Sequence, residues 1–363
     1  LMKKILAICF SPDKGGLELY LIKMIDHFNK KFSNVYGLFC PDSYIAKNIQ
    51  SPHLILKKPS LFTFISRIWT TLDYIHQNNI EIIHVSWTKD LFFSVLLKIL
   101  SRNKIKIIYY RQMKLTRYKN DFYHRFIYKN IDKILVITKN LERECEKLLP
   151  VDNNSISCLH YGINGSLHKK DFSRYEFLHS INLDPSLFTI GVFSRVEEQK
   201  GQHLVIEALK LINTREIQLV IVGHVMNDNY IASLKKLISE YGLEDKIRFV
   251  PFVEKPMEIM QCLNLTILST YEETFGLVVA ESMLVGTPVI GSNAGGVPEI
   301  IQDGMNGLLF ETKNIQSLSE KIMIMIESRD LRDKFIKNGI SFVKEKFDYD
   351  RHFSNLQDFI RAL

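Results

Sequence analysis

Short apolar runs alternate with stretches of helical periodicity along the chain. The apolar runs are rich in Ile, Val, Leu and Phe, which suits strands that are buried on both faces of a parallel sheet. The stretches between them repeat apolar residues every three or four positions, which is typical of amphipathic helices. This alternation predicts an α/β protein in which helices cover both faces of parallel sheets. In the first half, the predicted strands are Lys4–Phe10, Val35–Cys40, Ile80–Val85, Ile105–Tyr110 and Lys133–Thr138, and the predicted helices are Phe62–Asn78, Leu91–Leu100, Phe122–Lys129 and Leu141–Leu148.

The alternation is interrupted near His160 and resumes in the second half of the chain. Because 363 residues are many for one hydrophobic core, we predict a first domain over residues 1–170 and a second over residues 171–348. The predicted strands of the second domain are Leu187–Phe193, Leu219–Gly223, Ile247–Val250, Leu265–Leu268 and a short run at Val289, and its predicted helices include Asn229–Tyr241 and one from Phe275 to Leu284.

Composition places the chain among ordinary globular proteins, with 46% hydrophobic and 24% charged residues. The five cysteines are scattered and lack the spacing of metal ligands, which predicts a reducing, cytoplasmic environment without structural disulfides. No apolar run in the sequence reaches the length of a membrane span.

Charge is distributed unevenly. Residues 1–170 hold 27 Lys and Arg against 13 Asp and Glu, a balance of +14, whereas residues 171–363 hold 20 against 27, a balance of −7. The first half is therefore expected to meet something anionic: a membrane surface, a lipid diphosphate, an acidic glycan or nucleic acid. The alternative is that its lysine-rich loops are simply solvated.

The stretch Ser269–Gly296 carries the most informative chemistry. Glu273 lies in the loop after a predicted strand, and Glu281 lies about two turns into the helix that follows. Ligands of open α/β sheets bind at such carboxyl ends, and a helix N-terminus favours phosphate. A nucleotide sugar, with hydroxyls at both ends and phosphates between them, fits this order. The alternative is that Glu273 only stabilises the helix dipole and Glu281 is a surface residue. The backbone N–H groups expected to face the phosphates are those of Thr274, Phe275, Gly276 and Leu277.

This stretch resembles the retaining glycosyltransferases of the two-Rossmann (GT-B) type, specifically family four. Two further segments resemble the same family. The segment SRVEEQKG resembles the pattern GRLxxxKG, with Arg195, Lys200 and Gly201 matched and Ser194 in place of a glycine. The pair Gly15-Gly16, with Glu18, resembles the family's GGxE loop. The family pattern SxxEgfGlvxxEAmxxGxPVxxxxxGGxxE is matched by Ser269, Glu273, Phe275, Gly276, Leu277, Glu281, Met283, Gly286, Pro288, Val289, Gly295, Gly296 and Glu299.

The resemblance implies two Rossmann-like domains that face each other across a cleft, with the last helix, about 349–363, packing back on the first domain. It also implies a hexosyltransferase that moves a sugar from a UDP-, GDP- or ADP-linked donor to a glycan or lipid-linked acceptor hydroxyl with retention of configuration. Bacterial surface polysaccharide or lipopolysaccharide synthesis, in the cytoplasm or on the inner face of the membrane, is the expected setting. We expect no nucleic acid partner.

The resemblance also implies roles for single residues. Arg195 and Lys200 would stabilise the departing diphosphate, so that neither a metal nor a cofactor is required. Glu273 would hold the hydroxyls of the sugar, and Glu281 those of the ribose. Gly15 and Gly16 would lie close to the donor's phosphates and sugar, and Val250 would lie beside the nucleobase.

Two positions of the first domain concern the acceptor or the sugar. His84 closes a strand where the family often has a histidine. Arg111 stands where many relatives end the next strand with a histidine close to the sugar. Arginine cannot accept a proton, but it can bind an anionic sugar or an acceptor phosphate. The role of the family's histidine is therefore not transferred to Arg111.

Other functions stay open at this stage. A sugar-nucleotide epimerase has a similar two-Rossmann shape, and a non-catalytic module could bind a nucleotide sugar without turning it over. The basic first half alone would suit a nucleic-acid binder. The motif Asp348-Tyr349-Asp350 resembles a metal-binding D-x-D, but it opens the last helix, where acidic residues are favoured by the dipole. We therefore expect no metal there.

Overall fold

A computed structural model describes residues 2–60, 62–102, 104–165, 172–213 and 216–363. The chain forms two compact units, the first comprising Leu1–His160 and Asp350–Leu363 and the second Tyr161–Tyr349. The boundary predicted after residue 170 lies in segment 166–171, outside the described residues, and the units divide after His160. Each unit contains one parallel sheet with helices, so the α/β prediction is confirmed.

The first unit is built on a sheet of seven parallel strands. The strands are β1 (Ile5–Cys9), β2 (Val35–Phe39), β3 (His53–Ile55), β4 (Ile82–Val85), β5 (Lys106–Arg111), β6 (Lys133–Val136) and β7 (Ile156–Cys158). Their order across the sheet is β3-β2-β1-β4-β5-β6-β7. The helices that connect them are α1 (Gly16–Phe32), α2 (Tyr44–Asn48), α3 (Phe64–Asn78), α4 (Leu91–Leu100), α5 (Phe122–Lys129) and α6 (Lys139–Leu148).

Burial explains which strands of this sheet the pattern predicted. Every residue of β1 and β4 is buried, as expected for central strands of a parallel sheet. β3 and β7 are edge strands of three residues, only partly buried, and the sequence analysis did not predict them. Such short segments carry too few positions to show a period.

The second unit is built on six parallel strands in the order β10-β9-β8-β11-β12-β13. These strands are β8 (Phe188–Phe193), β9 (Ile217–Val222), β10 (Ile247–Val250), β11 (Leu265–Leu268), β12 (Val289–Ser292) and β13 (Leu308–Phe310). The helices of this unit are α7 (Arg174–Ser180), α8 (Gln202–Ile212), α9 (Asp228–Glu240), α10 (Pro256–Met260), α11 (Leu277–Leu284), α12 (Ile315–Glu327) and α13 (Arg329–Lys346).

The strand order of the second sheet changes direction next to β8. From β8 the chain moves outward through β9 to β10, and it then returns to place β11 on the other side of β8. The loops that follow β8 and β11 therefore leave the same edge of the sheet in opposite directions. Such a switch point opens a crevice outside the carboxyl ends of the two strands.

The last helix, α14 (Tyr349–Ala362), buries four side chains: His352, Phe353, Leu356 and Ile360. In the first unit, the Tyr20 hydroxyl lies 3.0 Å from His352 Nε2, and the His27 and Phe353 rings stack at 4.4 Å. Among the described helices, none is both long enough and apolar enough to cross a bilayer.

Candidate functional site

Two loops meet at the switch point of the second sheet. One follows β8 and runs through residues 194–201, and the other follows β11 and runs through residues 269–276. The Ser269 hydroxyl donates to the Lys200 carbonyl at 2.8 Å, and the Tyr271 N–H donates to the Gln199 carbonyl at 2.9 Å. Because backbone atoms take part in both contacts, each loop holds the path of the other.

Lys200 and Glu273 form an ion pair between these loops. Lys200 Nζ lies 3.0 Å from Glu273 Oε2, and the two side chains are only 17% and 21% exposed. A charge-assisted hydrogen bond of this kind is stronger where water is largely excluded. The structure thus brings together two residues that the sequence analysis had selected separately.

Arg195 lies in the same loop as Lys200 but is more exposed. Its Nη2 lies 2.9 Å from Glu197 Oε1, and its side chain is 58% exposed. Each of the two predicted phosphate-binding cations therefore has a carboxylate neighbour. The sequence analysis did not select Glu197, because one acid in a charged loop carries no distinguishing pattern.

The loop after β8 is held from inside by Gln202, which the sequence analysis also missed. This side chain is buried, and its Nε2 donates to Ser194 Oγ at 2.9 Å and to the Arg195 carbonyl at 2.8 Å. Gly201 has a φ of +66°, and a Cβ there would lie 2.3 Å from the Ser269 carbonyl oxygen. The close approach of Gly201 to Ser269 thus explains the glycine of the motif, and Gln202 fixes the loop that carries Arg195.

The glycine pair Gly295-Gly296 supports the backbone of Glu273. The Gly296 N–H donates to the Glu273 carbonyl at 2.9 Å. Gly295 has a φ of +55°, and a Cβ there would lie 1.9 Å from the same carbonyl oxygen. No side chain can occupy that position without moving the loop that carries Glu273.

The helix after this loop begins later than predicted. α11 starts at Leu277, with Gly276 at φ +99° as the preceding cap residue, so the prediction that the helix starts at Phe275 is wrong. The Phe275 side chain is buried, with its ring 5.2 Å from that of Tyr161 and 5.4 Å from that of Phe347. The Thr274 N–H donates to Glu273 Oε1 at 3.2 Å. The first-turn N–H groups accordingly start at Leu277.

His203 links the second loop to the helical layer. Its Nδ1 lies 2.8 Å from the Tyr230 hydroxyl and its Nε2 lies 2.7 Å from the Tyr271 hydroxyl. Burial lowers the pKa of His203, which favours a neutral ring with one donor and one acceptor nitrogen. Because Tyr271 lies two residues before Glu273, this chain of contacts also steadies the ion pair.

Two further predicted donor-binding residues, Glu281 and Val250, lie in the second unit. Glu281 lies in α11, one turn after its start rather than the two turns predicted, and is partly exposed. Val250 ends β10, and its carbonyl accepts a hydrogen bond from the Gly223 N–H at 3.0 Å. The roles given to Glu281 and Val250 remain predictions.

Four predicted residues lie in the first unit. Gly15 precedes α1, and its N–H donates to Glu18 Oε2 at 3.0 Å, while a Cβ on Gly16 would meet no described atom within 4 Å. His84 in β4 and Arg111 at the end of β5 are 1% and 5% exposed. Their ligand contacts remain predictions.

The surroundings of the last two residues differ. Burial lowers the pKa of His84 to about 4, so its ring is neutral near pH 7, and its nitrogens have no hydrogen-bond partner among the described residues. Arg111 Nη1 donates to the Tyr109 hydroxyl and Nη2 to the Lys114 carbonyl, each at 2.9 Å. Two of the N–H donors of Arg111 are therefore already engaged in hydrogen bonds within the protein.

Comparisons with known proteins agree with this architecture. Residues 174–342 match the family model described as glycosyl transferases group 1. The chain is 24% identical to the uncharacterized glycosyltransferase MJ1178 of Methanocaldococcus jannaschii over 370 residues, which cover 97% of the chain and 95% of that protein. It is 26% identical to the capsular polysaccharide biosynthesis glycosyltransferase CapM of Staphylococcus aureus over 219 residues, 58% of the chain and 54% of CapM. The chain thus spans nearly all of one relative and about half of the other.

Among solved structures, Anabaena Alr3699/HepE in complex with UDP superimposes with a TM-score of 0.87 at 20% identity, covering 99% of this chain and all of that one. This likeness shows a common fold, that of the GT-B glycosyltransferases. The second unit is thus similar in sequence to the group 1 glycosyltransferases, and the chain has the fold of the GT-B glycosyltransferases.

Proposed function

We propose that the protein is a retaining glycosyltransferase that moves a hexose from a nucleoside-diphosphate sugar to an acceptor hydroxyl. The observation that carries this proposal is the Lys200–Glu273 ion pair at the switch point of the second sheet. It combines a cation suited to phosphate with a carboxylate suited to sugar hydroxyls, beside the N-terminus of α11. An ion pair with a purely structural role would not need to lie at the switch point, so its position there favours a ligand-binding role.

The charges of the site suit a departing diphosphate. As the bond between the anomeric carbon and the phosphate oxygen breaks, its electron pair stays on the oxygen and the diphosphate gains negative charge. Lys200 and Arg195 would stabilise that charge, and the loop contacts made by Gln202 and Ser269 keep them in place beforehand. The side chains thereby supply the positive charge that a metal would otherwise provide.

Retention of configuration follows from attack on the face that the diphosphate leaves. The acceptor oxygen forms its bond to the anomeric carbon, and its proton passes to the leaving phosphate oxygen. No separate protein base is needed for this step, so none is assigned. Glu273 would orient the sugar through its hydroxyls, and Glu281 would accept hydrogen bonds from the ribose.

The donor that we propose to test first is UDP-linked, with GDP- and ADP-linked sugars as alternatives. The support is that the structurally similar HepE was crystallised in complex with UDP. For the acceptor we propose a glycan or lipid-linked glycan of a bacterial surface polysaccharide, because CapM, a relative, serves capsular polysaccharide biosynthesis. Gly15, Gly16, His84 and Arg111 would contribute from the first unit.

The test is incubation of the 363-residue chain with a panel of UDP-, GDP- and ADP-sugars, with and without simple glycoside acceptors. We expect one donor to be consumed, with release of its diphosphate and transfer or slow hydrolysis of its sugar. Proton NMR of the product should show the anomeric configuration of the donor. The variant Lys200→Ala should lose this turnover, whereas Lys236→Ala, which removes an exposed lysine from α9, should keep it.

Each rival function gives a different result in the same panel. Interconversion of the donor into its epimer without release of diphosphate would identify an epimerase. Saturable binding without consumption would identify a non-catalytic module. An inverted anomeric configuration in the product would refute retention while leaving glycosyl transfer intact.

A further inference from the structure

The first unit exposes a group of large apolar side chains that the proposed reaction does not use. Phe62 is 96% exposed and Phe122 is 88% exposed. Single exposed apolar residues are common on protein surfaces, but a group of aromatic side chains is informative. We call the group the aromatic surface; its members are Phe62, Ile65, Trp69, Phe122 and Tyr123.

Helix packing makes this surface continuous. The Phe64 ring of α3 lies 5.8 Å from the Phe92 ring of α4, and the Phe92 ring lies 5.9 Å from that of Tyr123 in α5. Ile65 and Trp69 are four residues apart in α3 and therefore share one face of that helix. The exposed members thus lie on α5, on α3 and just before α3, and the Phe92 ring of α4 links the two helices.

The same region is strongly basic. Residues 57–129 contain 14 Lys and Arg, of which Lys98 and Arg111 are buried, but only 4 Asp and Glu. The Trp87 ring, just before α4, has Lys58 Nζ at 5.0 Å and Lys89 Nζ at 4.9 Å, and both lysines are exposed. Asp90, the acid next to them, is buried and offers no surface charge. Cations and aromatic rings therefore meet at the start of α4.

We propose that the first unit docks on the surface of a bilayer that contains anionic lipid, through the aromatic surface and the lysines beside Trp87. Aromatic rings favour the boundary between headgroups and acyl chains, and lysines are attracted to anionic headgroups. A second copy of the chain fits less well, because a symmetric dimer through this face would bring its lysines together. This inference does not depend on the proposed reaction.

The test is co-sedimentation of the 363-residue chain with phosphatidylcholine vesicles, with and without phosphatidylglycerol. We expect binding to the anionic vesicles that weakens as salt is raised, and much weaker binding to phosphatidylcholine alone. Phe62→Ser/Phe122→Ser should weaken the binding about tenfold or more, since the rings no longer enter the interface. The matched control is Tyr175→Ser/Leu211→Ser, which removes two exposed apolar side chains from the second unit.

A second pair of variants tests the lysines. Lys58→Gln/Lys89→Gln should weaken binding to anionic vesicles by about fivefold per lysine. The matched control, Lys235→Gln/Lys236→Gln, removes two exposed lysines from α9 and should bind as the unchanged protein does. Because all eight positions are exposed, each variant should unfold at the same temperature as the parent, which calorimetry checks.

Three results would overturn the proposal. The first is equal binding to both kinds of vesicle, or to neither. The second is equal loss in the test and control variants. The third is a dimer in light scattering, or retention on single-stranded nucleic acid, that the Phe62/Phe122 variant abolishes while vesicle binding stays unchanged.

Discussion

At the scale of single residues, the two cations of the candidate site each have a carboxylate neighbour. Lys200 lies 3.0 Å from Glu273, and Arg195 lies 2.9 Å from Glu197. A diphosphate that binds here must exchange with these carboxylates, so its affinity reflects a difference between two sets of contacts rather than the sum of the new ones. Lys200 is the more buried cation, so its contacts are less screened by water.

We expect Lys200→Ala and Arg195→Ala both to lower kcat, by about 100- to 1000-fold for loss of a preorganised charge contact. The larger effect should come from Lys200, because its removal also leaves the partly buried Glu273 carboxylate unpaired. Steady-state kinetics on the donor found in the panel provides the measurement. Lys236→Ala is the control, and near-normal rates in both site variants would mean that the diphosphate binds elsewhere.

The two glutamates should differ in their effect on free nucleoside diphosphate. Glu281→Ala should weaken calorimetric binding of UDP, because the ribose loses its acceptor. Glu273→Gln should lower kcat but should not weaken UDP binding, because UDP has no sugar for Glu273 to hold and the variant removes the carboxylate that competes for Lys200. Weaker UDP binding in Glu273→Gln together with unchanged binding in Glu281→Ala would mean that the donor lies reversed in the site.

At the scale of elements, glycines permit the close approach of the loops, and two of them form a matched pair for a test. Gly295 and Gly304 both have positive φ, +55° and +72°. A Cβ on Gly295 would lie 1.9 Å from the Glu273 carbonyl oxygen, whereas a Cβ on Gly304 would meet no described atom within 4 Å. Gly304→Ala should therefore lower the free energy of unfolding by about 1–2 kcal/mol from backbone strain alone.

Gly295→Ala should cost a further 1–3 kcal/mol or so, because the added methyl group displaces the Glu273 backbone. It should also reduce turnover, whereas Gly304→Ala should not. Denaturant unfolding and kinetics of the two variants give the comparison. Equal unfolding free energies would show that the loop moves aside without cost.

The return of α14 to the first unit makes the stability of that unit sensitive to acid. Burial lowers the pKa of His352 to about 4, from about 6.5 expected in the unfolded chain. Between these values the unfolded chain binds a proton that the folded chain does not. The stabilisation is therefore complete above about pH 6.5 and is lost as pH falls toward 4, by up to about 1.4 kcal/mol per pH unit.

His352→Gln should reduce this dependence of the unfolding free energy on pH, because glutamine does not titrate. His84 has the same lowered pKa of about 4, so part of the dependence should remain. His76→Gln, at an exposed position of α3, serves as the control and should leave the dependence unchanged. Denaturant unfolding from pH 4 to pH 7 measures all three proteins, and an unaltered slope in His352→Gln would contradict the assignment.

At the scale of the whole molecule, the sequence predicted the α/β architecture correctly but did not predict which residues contact each other. Fully buried strands such as β1 and β9 are apolar runs that alternate with helical stretches, and this alternation predicted them. The three-residue edge strands β3 and β7 carry no such pattern and were missed. Arg195 and Lys200 were recognised through a family motif, whereas Glu273 and Glu281 were first selected for their positions beside a strand end and a helix start.

What the sequence could not predict is which residues touch. The contact between Lys200 and Glu273 joins positions 73 residues apart, and it depends on the return of the chain from β10 to β11. The buried Gln202 looks like any polar residue at the start of a helix until its two hydrogen bonds are seen. Both features result from tertiary packing, and local sequence propensity does not encode them.

We expect the reaction to proceed without a divalent metal, because Lys200 and Arg195 provide the positive charge at the diphosphate. The turnover rate should therefore be the same with and without excess chelator. Loss of activity in chelator that magnesium or manganese restores would count against this site. It would direct attention to Asp348 and Asp350 instead.

The contacts between the loops after β8 and β11 bear on how chimeras of this chain with its relatives can be built. The two loops lie on either side of the segment 202–264 in the sequence, yet they share side-chain and backbone hydrogen bonds. A chimera joined anywhere within that segment would take its cation from one parent and its carboxylate from the other. A chimera with crossovers before Ser194 and after Gly296 would take both loops from the same parent. The hydrogen bonds between the loops would then be preserved.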